Sequence, residues 1–184
     1  ASDAAPELEG RAFLLSVGSD NPRKNLDGLL AAYRRYREQV PAPASLVLVG
    51  PTREIFAGDG VEAGDGVETL GFVSEERLDW LYHHADAFAF PSLYEGFGLP
   101  ILEAMSAGTP VVTADRGAMA EVAGEAACRV DPADPDALAE GIARVLHDSG
   151  YRADLVAAGR ERAATFTWER TARETAEVYR EIAD

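Results

Sequence analysis

Six short apolar runs, at residues 13–17, 46–49, 67–70, 87–90, 110–113 and 127–130, limit most strongly what this chain can fold into. Each is four or five residues long and mostly uninterrupted by polar groups. A strand with one face in water alternates apolar and polar residues, whereas a continuous apolar run needs cover on both faces, as in the interior of a parallel sheet. Helical patterns fall between the runs. Leu26, Leu29, Leu30 and Tyr33 recur at i, i+3, i+4 and i+7, the apolar stripe of a helix. Further helices are predicted at 74–83, with Ser74 as N-cap and Arg77 where a capping box would put Glu, and at 99–107 and 135–146. Strand–helix alternation of this kind predicts right-handed crossovers, an α/β doubly wound parallel sheet, and ligand at the carboxyl ends of the strands.

Two helical segments, 151–165 and 168–182, follow with no strand between them. Thr167 caps the second, and Trp168, Ala172, Val178, Tyr179 and Ile182 give it one apolar face. Residues 51–66, with four glycines among acidic residues, read as a surface loop, and the near-repeat Gly-Asp-Gly-Val-Glu within and beyond it is too short to mark a repeat fold.

A chain of 184 residues that is 47% hydrophobic can bury one full core without a staple or metal. No apolar run is long enough to span a bilayer and no signal segment opens the chain, so a soluble, cytoplasmic protein is expected. The single cysteine, Cys128, lies in an apolar run and reads as a packed thiol. A formal charge of −15 argues against nucleic acid and anionic membranes, which are bound by clustered Lys and Arg. It also sets a local problem for any anionic ligand, which must be held by backbone dipoles and individual cations.

The stretch from Tyr94 to Met105 carries the chemistry. It reads as a glycine-containing loop that turns into a helix, with Pro100 at the first helical position and the carboxylates of Glu95 and Glu103, eight positions apart, on either side of the turn. The backbone amides of Gly96, Phe97, Gly98 and Leu99 would point out of a positive helix end, the outline of a diphosphate site. A carboxylate that accepts two hydrogen bonds suits the vicinal diol of a sugar or ribose. Lys24 follows the first strand by a short turn and is expected to open a helix, with its ammonium in reach of phosphate oxygens. His83, His84 and His147 end helices, where imidazole complements the dipole, and no His, Cys and carboxylate cluster has metal-ligand spacing. Tyr94 and Phe97 read as packing residues before stacking platforms.

Residues 90–112, Phe-Pro-Ser-Leu-Tyr-Glu-Gly-Phe-Gly-Leu-Pro-Ile-Leu-Glu-Ala-Met-Ser-Ala-Gly-Thr-Pro-Val-Val, closely resemble the signature of retaining glycosyltransferases of family 4. Residues 17–26 resemble that family's phosphate-contacting turn, and Gly71-Phe72-Val73-Ser74 its base-contacting strand end. The likeness runs over about residues 12–180 and is most specific for the mannosyltransferase-like branch, whose Pro-Arg-Lys-Asn stands at 22–25.

The resemblance implies a Rossmann-like domain forming one half of a GT-B enzyme: residues 1–10 a linker, 11–184 the nucleotide-sugar-binding domain, and an amino-terminal acceptor domain missing. It implies Glu95 on the transferred sugar, Glu103 on the ribose, Lys24 on the diphosphate, and Gly18 and Ser19 beside the phosphates. Phe72 and Val73 would offer backbone groups to the base, with Gly50 and Pro51 as a wall. Ser19 stands where many relatives have an arginine, and the neighbouring Arg23 leaves a two-cation clamp open. The implied donor is a GDP-sugar or UDP-sugar, with GDP-mannose favoured by the branch, and neither a tightly bound cofactor nor a metal is expected. The rival readings are half of a sugar-nucleotide epimerase and a non-catalytic nucleotide-sugar-binding module.

Overall fold

A computed structural model describes residues 5–19, 21–50 and 66–183. The expectations for the loop at 51–66 and for Pro51 fall mainly on residues outside that set. Six parallel strands form one sheet: β1 (Phe13–Val17), β2 (Ser45–Val49), β3 (Val67–Gly71), β4 (Ala87–Phe90), β5 (Val111–Ala114) and β6 (Cys128–Val130). Their spatial order is β3-β2-β1-β4-β5-β6. The helices are α1 (Leu26–Gln39), α2 (Glu75–His84), α3 (Leu99–Ala107), α4 (Gly117–Ala123), α5 (Pro135–His147), α6 (Ser149–Ala164) and α7 (Trp168–Ala183).

Alternation along the strands sorts the core into two layers. Phe13, Leu15, Val47, Val49, Phe88 and Phe90 face α2, α3 and α4. Leu14, Leu46, Leu48, Ala87 and Ala89 face α1 and α5 on the other side. Both parities of each central strand are therefore buried, the physical content of the unbroken apolar runs. Ala5 and Leu8, within the segment read as a linker, are also buried in the first layer. Cys128 is buried at the start of β6, where loss of solvation raises its thiol pKa.

α4 was not predicted from the sequence. It is seven residues long, begins after Arg116 with no side-chain cap, and buries only Met119, Val122 and Ala123. Three alanines and a glycine among its seven residues leave too few apolar positions to show a helical period. α7 departs in another way: the helix is there, but Trp168, Val178, Tyr179 and Ile182 of its apolar face are 78%, 52%, 69% and 78% exposed.

The sheet reverses its winding between β1 and β4, which pair directly through Leu14–Ala87 and Leu15–Phe88. The connections leaving these two strands diverge and open a crevice at their carboxyl ends. Backbone bonds then tie the two connections together. Asn21 caps a 3-10 turn, Pro22–Lys24, by accepting from the Arg23 N–H, and the Leu93 N–H donates to the Arg23 carbonyl at 2.7 Å. Asn25 adopts a left-handed φ of 56°, a conformation asparagine tolerates well. Its side-chain amide donates to the carbonyls of Pro91 at 3.2 Å and Pro132 at 2.7 Å.

Gly50 closes the neighbouring strand end. Its φ is +122°, and a Cβ there would stand 2.2 Å from the Gly18 carbonyl oxygen. Gly50→Ala is expected to cost about 1–3 kcal/mol in backbone strain, before the clash moves Gly18. Thermal unfolding of the variant should show a midpoint lowered by roughly 2–10 °C. An unchanged midpoint would mean that the ends of β1 and β2 are not held this close.

Candidate functional site

Lys24 and Glu95 meet in the crevice. Lys24 comes from the connection after β1 and Glu95 from the loop after β4, and Nζ lies 2.7 Å from Oε1. Their side chains are only 18% and 11% exposed. The Lys24 ammonium also lies over the Phe90 ring, 4.8 Å from its centroid, a cation–π contact. Among the described residues no aligned hydrogen bond reaches Glu95 Oε1, so the close ammonium holds it by charge at angles poor for hydrogen bonding. Ser92 Oγ, buried in the same recess as Gly18, Ser19 and Lys24, likewise has no hydrogen-bond partner there. Two buried oxygens, Glu95 Oε1 against Lys24 and Ser92 Oγ in the recess that Lys24 lines, thus lack an aligned hydrogen-bond partner among the described residues.

Lys24 does not open α1, as the sequence suggested. It closes the 3-10 turn, and α1 begins two residues later at Leu26 because Asn25 breaks the path with its left-handed backbone. The turn is thereby fixed to the loop after β4 before the helix starts. Lys24 is also the chain's single lysine, its other sixteen basic residues being arginine. An ammonium is a compact point charge, where guanidinium is a planar fork.

The loop that carries Glu95 leads into α3. Gly98 takes a φ of 102° as N-cap, where no side chain caps the helix, and its carbonyl accepts from the Ile101 N–H at 3.0 Å. α3 starts at Leu99, so Pro100 occupies the second helical position, and Glu103 falls beyond the first turn. Gly96, Phe97, Gly98 and Leu99 thus form the approach to a nine-residue helix whose amino end faces the crevice side of the sheet. Phe97 is 44% exposed and meets Phe166 edge-on at 6.0 Å.

Glu103 is placed apart from Glu95. It is exposed on α3 and accepts a 2.8 Å hydrogen bond from the Tyr82 hydroxyl on α2. Burial raises the Tyr82 pKa strongly, and the negative charge of Glu103 raises it further, so the phenol stays a donor. Glu103 and Tyr82 line a cleft of about 750 Å³ with Leu78, Phe97, Leu99 and Trp168, roomy enough for a small molecule. Phe72 and Val73 follow edge strand β3; Phe72 is 84% exposed, while Val73 packs on the core. Ser19 is exposed at the end of β1.

The structure therefore brings Gly18, Ser19 and Lys24 to one recess, sets Glu95 against Lys24, and places Phe97, Leu99 and Glu103 in a separate cleft. Tyr82 and Asn25 are the residues that sequence reading passed over. Asn after a basic pair and before an apolar period was the available signal for Asn25. Tyr82 had none, since its partner is set by packing of α2 on α3. His83 and His84 bond helix carbonyls of Asp79 and Trp80, and His147 pairs with the Tyr36 hydroxyl; none of the three lines the recess, while His83 lines the larger cleft. Among the described residues no group of three or more His, Cys, Asp or Glu is placed to hold a metal ion, and no helix is long and apolar enough to cross a membrane.

Comparison with known proteins bears on this arrangement. The family described as "Glycosyl transferases group 1" matches residues 2–162. "O-antigen chain mannosyltransferase B" of Escherichia coli is 38% identical over 179 residues, 95% of this chain and 47% of the relative. "MMP alpha-(1->4)-mannosyltransferase" of Mycolicibacterium hassiacum is 37% identical, covering 93% of this chain and 44% of the relative. Among solved structures, sucrose-phosphate synthase from Thermosynechococcus elongatus superposes with a TM-score of 0.77 at 33% identity, over 94% of this chain and 46% of that one. The chain thus spans about half the length of the relatives it matches, and its neighbours are GT-B glycosyltransferases. A Rossmann-like parallel sheet, a match over residues 2–162 and relatives of this kind together mean that the chain belongs to the glycosyl transferases group 1 family.

Proposed function

We propose that this chain is the donor-binding half of a retaining family 4 glycosyltransferase that takes a hexose from a nucleotide diphosphate sugar, mannose from GDP-mannose in first place, and passes it to a glycan or other acceptor. The observation that carries the reading is the meeting of Lys24 and Glu95 at the point where the sheet reverses its winding. The mannosyltransferase names of two relatives support the choice of sugar.

Breaking the anomeric bond leaves negative charge on the departing diphosphate and positive charge on the sugar. Lys24, the amides of Gly96 to Leu99 and the amino end of α3 stabilise the first, and the Glu95 carboxylate offsets the second while orienting the hydroxyls. Gly18 and Ser19 border the phosphates. Glu103, oriented by the Tyr82 hydroxyl, accepts from the ribose, and the backbone at Phe72 and Val73 meets the base. The acceptor attacks from the leaving-group side, which retains configuration. Residues 11–184 form the donor domain and 1–10 the connection to an amino-terminal acceptor domain, the whole working in the cytoplasm. The uncovered apolar face of α7 supports a second domain as its cover.

Titration calorimetry with GDP, UDP and ADP tests the donor site directly. Dissociation constants below about millimolar are expected for at least one, with GDP tightest. Failure of all three at that concentration would overturn the assignment.

Glu103→Gln exchanges an acceptor for a partial donor, and a hydrogen bond to a charged group is worth about 1.5–3 kcal/mol. Roughly a tenfold or greater loss of nucleotide affinity is expected. Tyr82→Phe, which keeps the carboxylate but removes its orienting donor, should lose less. An unchanged dissociation constant in Glu103→Gln would leave that residue a helix-surface carboxylate.

Incubated with donor sugars and candidate acceptors, these 184 residues should bind nucleotide yet transfer nothing, with slow donor hydrolysis at most. Positioning of the acceptor can supply about 7–11 kcal/mol of the barrier, and the acceptor domain provides it. Transfer at ordinary enzymatic rates by this chain alone would place the acceptor site within these residues.

A further inference from the structure

The geometry points to Glu95 as an internal competitor for Lys24: its carboxylate takes the ammonium in the absence of donor and selects a nucleoside diphosphate that carries a sugar over one that does not. The inference rests on the donor-site reading above and adds a specificity role to it.

Three observations carry it. The pair is close and mostly out of water, 2.7 Å apart with side chains 18% and 11% exposed. Separating two such charges without new partners is strongly unfavourable, because each keeps little hydration. Second, the backbones on both sides are fixed to one another. The Leu93 N–H donates to the Arg23 carbonyl, one residue before Lys24 and two before Glu95, and Asn25 clasps the Pro91 carbonyl. Loop drift therefore does not relieve the pairing, and only the two side chains can exchange partners. Third, the pairing leaves Glu95 Oε1 without an aligned hydrogen bond. Among the described residues that oxygen has a charge partner but no aligned donor.

From this follows an asymmetry between ligands. A bare diphosphate brings only acceptor oxygens and negative charge to Lys24. It must take the ammonium from Glu95 and then leaves that carboxylate beside like charge. A diphosphate with a sugar brings hydroxyl donors as well, and these can give Glu95 the aligned hydrogen bonds that Lys24 does not. Glu95 thus weakens both ligands through competition and returns affinity only to the one bearing the hydroxyls of a transferred sugar.

The test is calorimetry of GDP and GDP-mannose, and of UDP and UDP-glucose, against wild type, Glu95→Gln, Glu95→Ala and Lys24→Gln, each checked for a cooperative thermal transition. In Glu95→Gln the bare diphosphate should bind about fivefold or more tighter, the lower range of coupling between linked events, while the sugar-bearing form should not gain by that factor. In a fourth variant, the Lys24→Gln, Glu95→Gln double substitution, the gain over Lys24→Gln alone should be smaller than that of Glu95→Gln over wild type. Because Lys24 is the only lysine, lysine-selective 15N labelling gives one side-chain ammonium signal, which Glu95→Gln should shift in the ligand-free protein. Unchanged or weaker binding of the bare diphosphate in both Glu95 variants, or equal shifts for the two ligand types, would overturn the competitor role. Wild type binding nucleotide with Glu103→Gln weakened and the Glu95 variants not tightened would remove this inference alone. Absence of nucleotide binding by wild type and all variants would remove the donor-site reading with it.

Discussion

Parallel pairing of β1 with β4 is the constraint on which the rest of this structure depends. It spans two residue pairs, Leu14–Ala87 and Leu15–Phe88, and is reinforced where the Phe13 N–H donates to the Asp86 carboxylate and the Asp86 N–H to the Phe13 carbonyl. On one side the chain winds outward through β2 and β3, and on the other through β5 and β6. Only at this seam do neighbouring strands send their connections in opposite directions. Lys24 and Glu95 are 71 positions apart in sequence, and the seam makes them neighbours. Burial of Leu15 and Phe88 in one layer and Leu14 and Ala87 in the other holds the seam from both faces.

The electrostatics of the site are local by necessity. With 32 acidic and 17 basic residues, the chain as a whole repels anions, so any attraction for one has to come from groups acting at short range. Burying the single lysine in the crevice sharpens its field by removing water, and an apolar ring beneath it does so without adding a competing acceptor. The arginines do different work: Arg35 pairs with Asp136, Arg116 with Asp131 and Arg129 with Glu125, each with an exposed carboxylate, where ion pairs contribute little. Restricting the compact cation to the crevice keeps planar guanidinium groups for surface and capping contacts.

Much of this architecture is legible in the sequence because burial on two faces leaves a mark that needs no partner to interpret. The runs at 13–17 and 87–90 coincide with β1 and β4, and α3 coincides with its expected span. Ser74 caps α2 by accepting from the Arg77 N–H, a local interaction that sequence spacing encodes. What escaped reading was set by tertiary contact. α4 is held by Met119, Val122 and Ala123 against the core with no side-chain cap at its amino end, and Tyr82 is brought to Glu103 by the packing of α2 against α3. The start of α1 moved because Asn25 uses its side chain to reach Pro91 and Pro132, residues 66 and 107 positions away.

The two glutamates show why spacing alone could not describe the site. Eight positions separate them, but the path runs through an irregular loop and then the left-handed Gly98, after which α3 sets a new direction. No helical or extended period relates their side chains. Glu95 ends in a mostly dry recess against a cation, and Glu103 ends on an exposed face against a phenol. The same functional group thereby acquires two behaviours. A carboxylate paired with an ammonium is governed by charge and responds to whatever competes for that cation, whereas one held by a neutral hydroxyl keeps its full charge and is fixed mainly in direction. An ammonium can turn to any anion, but the Tyr82 hydroxyl is anchored by a ring that is itself buried, stacked edge-on to Phe88 at 5.4 Å. The contact on the Glu95 side is thus an ion pair with a freely turning cation, and the contact on the Glu103 side a hydrogen bond from a fixed phenol.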